Sequence, residues 1–397
     1  MPYAVRVTLF FLVATGLMAL MHYYVWARLV RDTGLPRHLA RAATLALVGL
    51  AASVLLSFIT MRAFPRSVGR VICFPAYTWL GILFLLILNL LAADLLRFAG
   101  DVATRAGGTR LGPKMPERRL FIARVFGGAA TVAALGASAL ALESGLSRPR
   151  VREIRVRLAR LPRELDGTTI VQLTDMHVGP MLGPEFVADV VDRTNALKPD
   201  VIAITGDLVD GTVEQLRRAV SPIANLQAKH GVFFVTGNHE YYSGADPWIA
   251  ELSRLGVRVL RNERVQVGED ASSFDLAGVD DYSARRLARG HGPDLPRALA
   301  GRDPSRELVL LAHQPRAAFE AARLGVGLQL SGHTHGGQIW PFKYIVALQQ
   351  PFVAGLDRVG DMTLYTSPGT GFWGPPMRLG TRSEITKIVL ESERGIG

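Results

Sequence analysis

One cysteine, Cys73, occurs in 397 residues, so no intrachain disulfide can form and cysteine usage says nothing about compartment. Oxygen and imidazole donors without thiolate suit a divalent ion such as Mn, Fe, Zn or Co rather than a soft-metal site. Charged residues make up only 20% of the chain and aromatics 8%. No basic stretch is interleaved with aromatics, so the usual pattern of a nucleic-acid surface is missing despite a net charge of +11. Internal repeats and low-complexity tracts are also missing. What the chain has in excess is apolar residues, at 49% of the total. They are concentrated before residue 145, and 397 residues suggest two regions.

Four runs in that first part approach the roughly 20 apolar residues that cross a bilayer core. They cover 7–26, 43–60, 71–91 and 120–142. Acidic and basic residues hardly interrupt the first three, which argues against a buried bundle in a soluble protein. Cleavage of the first run as a signal peptide is not expected, because further runs follow it. Residues 1–147 are therefore read as an all-α transmembrane region and 148–397 as a second domain. Arg28, Arg31, Arg37 and Arg41 follow the first run; Arg97, Arg105, Arg110, Lys114, Arg118 and Arg119 precede the fourth. The N-terminus offers only Arg6, and the second connection only Arg62, Arg66 and Arg70. The excess of positive charge puts the first and third connections in the cytoplasm and the second domain outside it. Glu117-Arg118-Arg119-Leu120-Phe121-Ile122 reads either as a twin-arginine export signal or as a basic helix flank. The Arg-rich segment 147–163 would lie outside and counts against this orientation.

From about residue 151 short β-rich runs alternate with helical stretches. Strands are expected at 169–173, 201–205 and 232–236, and helices at 185–197 and 213–226. That alternation predicts a sheet with helices on its faces. Later strands at 257–260, 274–278, 307–312, 327–330, 362–366 and 385–390 have fewer helices between them and are read as a second sheet packed on the first. The fold class is α/β, an α+β sandwich of two packed mixed sheets flanked by helices.

Polar motifs follow several of these strands at once: Asp175-Met-His177, Gly206-Asp207, Gly237-Asn238-His239-Glu240, His313 and Gly332-His333-Thr-His335. Open α/β sheets bind ligands at the carboxyl ends of their strands. Asp-x-His or Gly-Asp alone is common in turns. Asn-His after an apolar strand, and two histidines two residues apart, have little packing rationale. Mixed nitrogen and oxygen donors suit two divalent ions of the Mn, Fe, Zn or Co kind. Such a pair acidifies a shared water and neutralises charge on phosphoryl oxygens. It needs a ligand that touches both ions, and the two carboxylate oxygens of Asp207 qualify. His230 and His291 match no motif and are read as surface residues.

The order and spacing of these motifs closely resemble the calcineurin-like metallophosphoesterase superfamily. The resemblance runs from about Asp175 to Ile385. It implies a phosphate-ester hydrolase in which Asp175, His177 and His335 complete one metal site and Asn238, His313 and His333 the other, with Asp207 between them. It also implies that His239 faces substrate, where it stabilises the phosphoryl group or protonates the leaving oxygen. Gly332-His-Thr-His-Gly-Gly-Gln338-Ile339 and Gly371-Phe-Trp-Gly-Pro-Pro376 with Arg378 are similar to the membrane-associated bacterial branch typified by YkuE and YaeI. That implies a phosphodiester or phospholipid-like substrate. Glu240, Asp210 and Asp281 are candidate supports for the histidines.

An apolar aromatic loop follows the last motif. Trp340, Phe342 and Tyr344 are candidate substrate-binding residues for an acyl or prenyl chain, with Phe372 and Trp373 as additions to the same wall. The alternative is a structural loop over a sheet edge. The expected partners are membrane lipids and a phosphate ester, with a lipid-linked one admissible; no nucleic acid is expected. The leading function is a membrane-anchored metal-dependent phosphodiesterase. The competing one is a membrane sensor or transport accessory with a phosphate-binding, non-catalytic domain, and a nuclease comes third.

Overall fold

Residues 3–64, 66–106, 116–269 and 272–393 are described by the computed structural model. The chain divides into two units, residues 1–143 with 374–377, and residues 144–373 with 378–397.

In the first unit apolar runs become long helices: α1 (Tyr3–Trp26), α2 (Arg37–Ala63), α3 (Arg66–Ala106) and α4 (Pro116–Leu146). Each contains one of the four expected runs. Among the described residues three helices are long and apolar enough to cross a membrane, at Arg37–Phe58, Ser67–Thr104 and Pro116–Leu146. The fourth, α1, is not counted with them; the side chains at positions 6, 7, 10 and 11 lie outside the described ones. Leu12, Leu20, Leu45, Val71 and Val132 are largely exposed on these helices, where a soluble bundle would turn such side chains inward. Polar groups tie the helices together. Trp79 donates to the His22 ring at 3.0 Å, and Tyr24 donates to Asp94, which also pairs with Arg28 at 2.8 Å. Of the charges that set the expected orientation, Arg110 and Lys114 lie outside the described residues. So do the side chains of Arg6, Arg62, Arg66 and Arg105.

The second unit contains twelve strands: β1 (Arg150–Leu158), β2 (Thr169–Leu173), β3 (Val201–Ile204), β4 (Val232–Phe234), β5 (Arg258–Val259), β6 (Glu263–Glu269), β7 (Ser272–Gly278), β8 (Leu308–Leu311), β9 (Leu328–Ser331), β10 (Gly355–Val359), β11 (Met362–Thr366) and β12 (Glu384–Ser392). One sheet runs β1-β12-β2-β3-β4-β5 and the other β10-β11-β9-β8-β7-β6. Both are mixed. In the first, β12 is antiparallel to β2, while β2 to β5 are mutually parallel. In the second, β7, β8, β9 and β11 are parallel and each edge strand is antiparallel. The expected pair of packed sheets is therefore present, with two strands redistributed. Those expected at 257–260 and 385–390 belong to the first sheet, not the second. Their partners, Phe233 and Phe234 for β5 and Arg150–Leu158 for β12, are set by long-range pairing.

Central strands are apolar at every position because both faces are covered. Ile170, Val201, Ala203, Phe233 and Ile388 meet Phe274, Leu276, Val309, Leu328 and Leu330 between the sheets. The opposite face of the first sheet, with Val171, Leu173, Ile202 and Ile204, packs against α5 (Pro184–Ala196), α6 (Val213–Val220) and Trp248. Trp248 is fully buried and its indole N–H donates to the Gly211 carbonyl at 2.9 Å. Trp248→Ala removes both packing and that donor, at a cost of about 3–5 kcal/mol. With about 2–4 °C lost per kcal/mol in a domain this size, the second unit's melting point falls by roughly 10 °C. Calorimetry of the detergent-solubilised chain reads it directly.

Candidate metal centre

Each candidate ligand sits where a strand ends and the backbone turns sharply. Asp175 and His177 follow β2, Asp207 follows β3, Asn238 follows β4, His313 follows β8, and His333 and His335 follow β9. Asp175, His177, Asp207, His333 and His335 all have positive φ, between 47° and 72°. Left-handed backbone is uncommon for such residues, and clusters of it mark sites where the surroundings enforce a geometry. Two glycines make the close approach possible. Gly206 has φ +86°, and a Cβ there would strike the Gly237 backbone. A Cβ on Gly237 would strike the Asp207 carboxylate.

The structure brings six of the seven residues together, and Asn238 is buried on the turn that also carries His239. His335 Nε2 lies 3.1 Å from His177 Nε2 and 3.4 Å from Asp175 Oδ1. His313 Nε2 lies 3.1 Å from Asp207 Oδ2 and 3.2 Å from His333 Nδ1. Asp175, His177 and His335 thus form one ligand group, and Asp207, His313 and His333 a second. The same Asp207 Oδ2 is also 3.9 Å from His177 Nε2, so one carboxylate oxygen addresses both groups. Two pairs of imidazole nitrogens facing each other at close range make a donor set for a cation. Asn238 adds a buried amide oxygen with no donor of its own. A buried acceptor left unpaired is costly, and a metal ion satisfies it. The residues present fit divalent ions.

Protonation follows the same logic. Burial, with His313 beside it, pushes His333 down to about 3. Burial and His177 hold His335 well below the usual imidazole range. Both rings are neutral at pH 7, as metal ligands must be. Burial opposes charge on His313 too, but Asp207 and Asp175 outweigh it and raise that ring well above its ordinary value.

Three carboxylates support the ligands in different ways. Asp210 Oδ1 accepts from His177 Nδ1 at 3.0 Å and from His239 Nδ1 at 2.6 Å. It orients both rings, the role expected for it. Its carboxyl is held well below the usual range: burial raises it, and the two histidines overcome that. Glu240 does not touch a histidine. Its carboxylate accepts from the backbone N–H groups of Asp207, Leu208 and Gly237, joining the turns after β3 and β4. Asp281 likewise accepts from Ser283 N–H and the Gln314 amide, not from an imidazole. Both candidate partners of histidine are therefore partners of backbone or amide.

His239 donates its backbone N–H to Asp207 Oδ1 at 2.9 Å. Its ring packs edge-on to Tyr242 and Trp373, with centroids 5.3 and 5.7 Å away. Tyr242 was not legible as a site residue, since nothing about Glu240-Tyr-Tyr242 distinguishes it from an ordinary helix start. Trp340, Phe342 and Tyr344 stand apart from the buried cluster. They are 54%, 43% and 61% exposed around the helical turn Lys343–Val346. Phe372 is buried in the core and is not part of an exposed wall, whereas Trp373 is exposed. His291, expected at the surface, is mostly covered: it bonds Arg261 at 2.8 Å and packs on Tyr241.

A two-sheet α/β sandwich that gathers carboxylate, amide and imidazole donors at its strand ends is suited to metal-dependent hydrolysis. Residues 168–337 match the family described as calcineurin-like phosphoesterase. A Bos taurus "Transmembrane protein with metallophosphoesterase domain" is 37% identical over 96% of this chain and 88% of its own length. The Danio rerio protein of that name is 41% identical over 61% of this chain, which spans 57% of the relative. The Bacillus subtilis "Uncharacterized metallophosphoesterase YkuE" is 31% identical over 70% of this chain and 99% of its own length. The chain belongs to the calcineurin-like phosphoesterase family. It is a phosphate-ester hydrolase of the metal-dependent kind.

Proposed function

We propose that this protein is a membrane-anchored phosphodiesterase with two divalent ions, of the Mn, Fe, Zn or Co kind, acting on a lipid-linked or membrane-proximal phosphate ester. The observation that carries the reading is the position of Asp207, whose Oδ2 faces His313 at 3.1 Å and His177 at 3.9 Å. One side chain within reach of two ligand groups is what a dinuclear centre requires. Divalent ions there supply Lewis acidity toward phosphoryl oxygens and lower the pKa of water. Asp175, His177, His335, Asn238, His313 and His333 fill the remaining ligand positions. His239, steered by Asp210, holds a proton toward the leaving oxygen. Trp373 and Tyr242 narrow the space beside that ring and orient the ester.

Three apolar helices of spanning length support a multi-pass anchor. The arginine excess in the first and third connections supports a catalytic unit outside the cytoplasm. Membrane lipids are the proposed partners, and Trp340, Phe342 and Tyr344 the proposed contacts for the apolar part of a substrate.

Metal removal tests the reading. Chelation of the purified full chain is expected to abolish cleavage of a soluble nitrophenyl phosphodiester, and added Mn to restore it. The chelated protein also melts lower, since a ligand at a thousand times its Kd stabilises the native state by about 4 kcal/mol. Turnover that survives exhaustive chelation would remove the proposal.

A further inference from the structure

We propose that the segment 340–348 of the catalytic unit is itself a membrane-surface anchor that seats in the interfacial layer of a lipid bilayer. The inference rests on the proposed membrane setting but not on the chemistry of the metal centre. Trp340, Phe342, Tyr344, Ile345 and Leu348 are all exposed, Leu348 at 88%. Five large apolar side chains within nine residues form the kind of patch that soluble surfaces avoid unless it meets a partner. From Ile339 to Leu356 the sequence holds no carboxylate, and Lys343 is its sole charge. Aliphatic side chains beside Trp, Tyr and a lysine make up the composition of interfacial segments.

The backbone suits a poorly hydrated layer. Phe342 and each residue from Tyr344 to Gln350 donate their N–H to a carbonyl within four positions along the chain. Entry into lipid therefore leaves those donors paired. Lys343 Nζ lies 5.1 Å from the Tyr344 ring centroid, and its long stem allows the ammonium to stay among headgroups. Nor is the segment a slack loop. Trp340 N–H donates to the Leu379 carbonyl at 2.8 Å at one end. Buried Gln350 donates its amide to the Gln314 side chain at the other, one residue from His313. Gln338, just before the segment, exchanges two hydrogen bonds with the Trp373 backbone at 2.9 and 3.1 Å. Trp373 packs against His239. A lipid-seated segment is thereby tied, through short connections, to the loops that flank the proposed catalytic histidine.

The chain's single cysteine makes a direct test simple. In a Cys73→Ala background, Leu348→Cys in the full chain is labelled with an environment-sensitive fluorophore and reconstituted in phosphatidylcholine–phosphatidylglycerol nanodiscs. Leu356→Cys, an exposed site on β10, is the control. Bromine on the acyl chains is expected to quench the probe at 348 about twofold and to leave 356 unchanged. Leu348→Asp is further expected to slow hydrolysis of a bilayer-embedded phosphodiester about tenfold while sparing a soluble one. An unquenched probe at 348 overturns the proposal, as does a blue-shifted but unquenched probe accompanied by 348–348 crosslinking, which identifies a second copy as the occupant. If the phosphodiesterase reading were wrong, neither ester would be turned over, yet the quenching would still report on lipid contact.

Discussion

Asp207→Asn is expected to reduce kcat/KM on a soluble phosphodiester by at least about 10³-fold while leaving the fold intact. The amide has nearly the shape of the carboxylate, so Oδ1 still accepts the His239 N–H bond made at 2.9 Å. What disappears is the negative charge and one oxygen acceptor at the position 3.1 Å from His313 and 3.9 Å from His177. The donated NH2 group would point at imidazole nitrogens or cations rather than attract them. Metal content measured by elemental analysis should fall along with activity, and the melting point of the chelated variant should match that of chelated wild type. If the variant keeps wild-type turnover, Asp207 does not join the two ligand groups.

His239→Ala is expected to lower kcat about 10²- to 10⁴-fold without lowering metal content, because general acid catalysis is lost and the ligands are not. The pH profile distinguishes this role from a merely structural one. Burial disfavours charge on His239, but Asp207 and Asp210 raise its pKa to about 9. Bound cations push the opposite way. A group with a raised pKa holds its proton below that value and loses it above. Activity that depends on the proton is therefore full at lower pH and falls as pH rises through a limb at or below about 9. Asp210→Asn removes one of the raising carboxylates and should shift that limb to lower pH. A limb that stays put in Asp210→Asn, or persists in His239→Ala, assigns the titration elsewhere.

The parts legible in the sequence were those with no packing explanation. Asn238-His239 and His333-Thr-His335 follow strands whose buried residues include Phe234 and Leu330, and polar side chains there are costly unless they bind something. Three strands were not legible. In β1, Arg and Glu alternate with Ile154, Val156 and Leu158, so the arginines conceal a period-two pattern behind what reads as a basic flank. β6 alternates similarly around Val265 and Val267, and β10 is a short edge strand starting at a glycine. Sheet membership was also hidden. Arg150 pairs with Glu384 at one end of the β1–β12 ladder, far apart in the chain, and only register in space shows it. The partners of Glu240 were not legible, because side-chain chemistry allows a histidine partner, whereas the fold offers its carboxylate three backbone N–H groups.

That carboxylate has a mechanical consequence. It clasps the turn bearing Asp207 and the turn bearing Asn238 with a single group, so neither turn can drift while the other stays in place. On the proposed assignment these residues serve both ion positions. Loosening the clasp would degrade the two positions in step, and the centre would fill and empty as a unit.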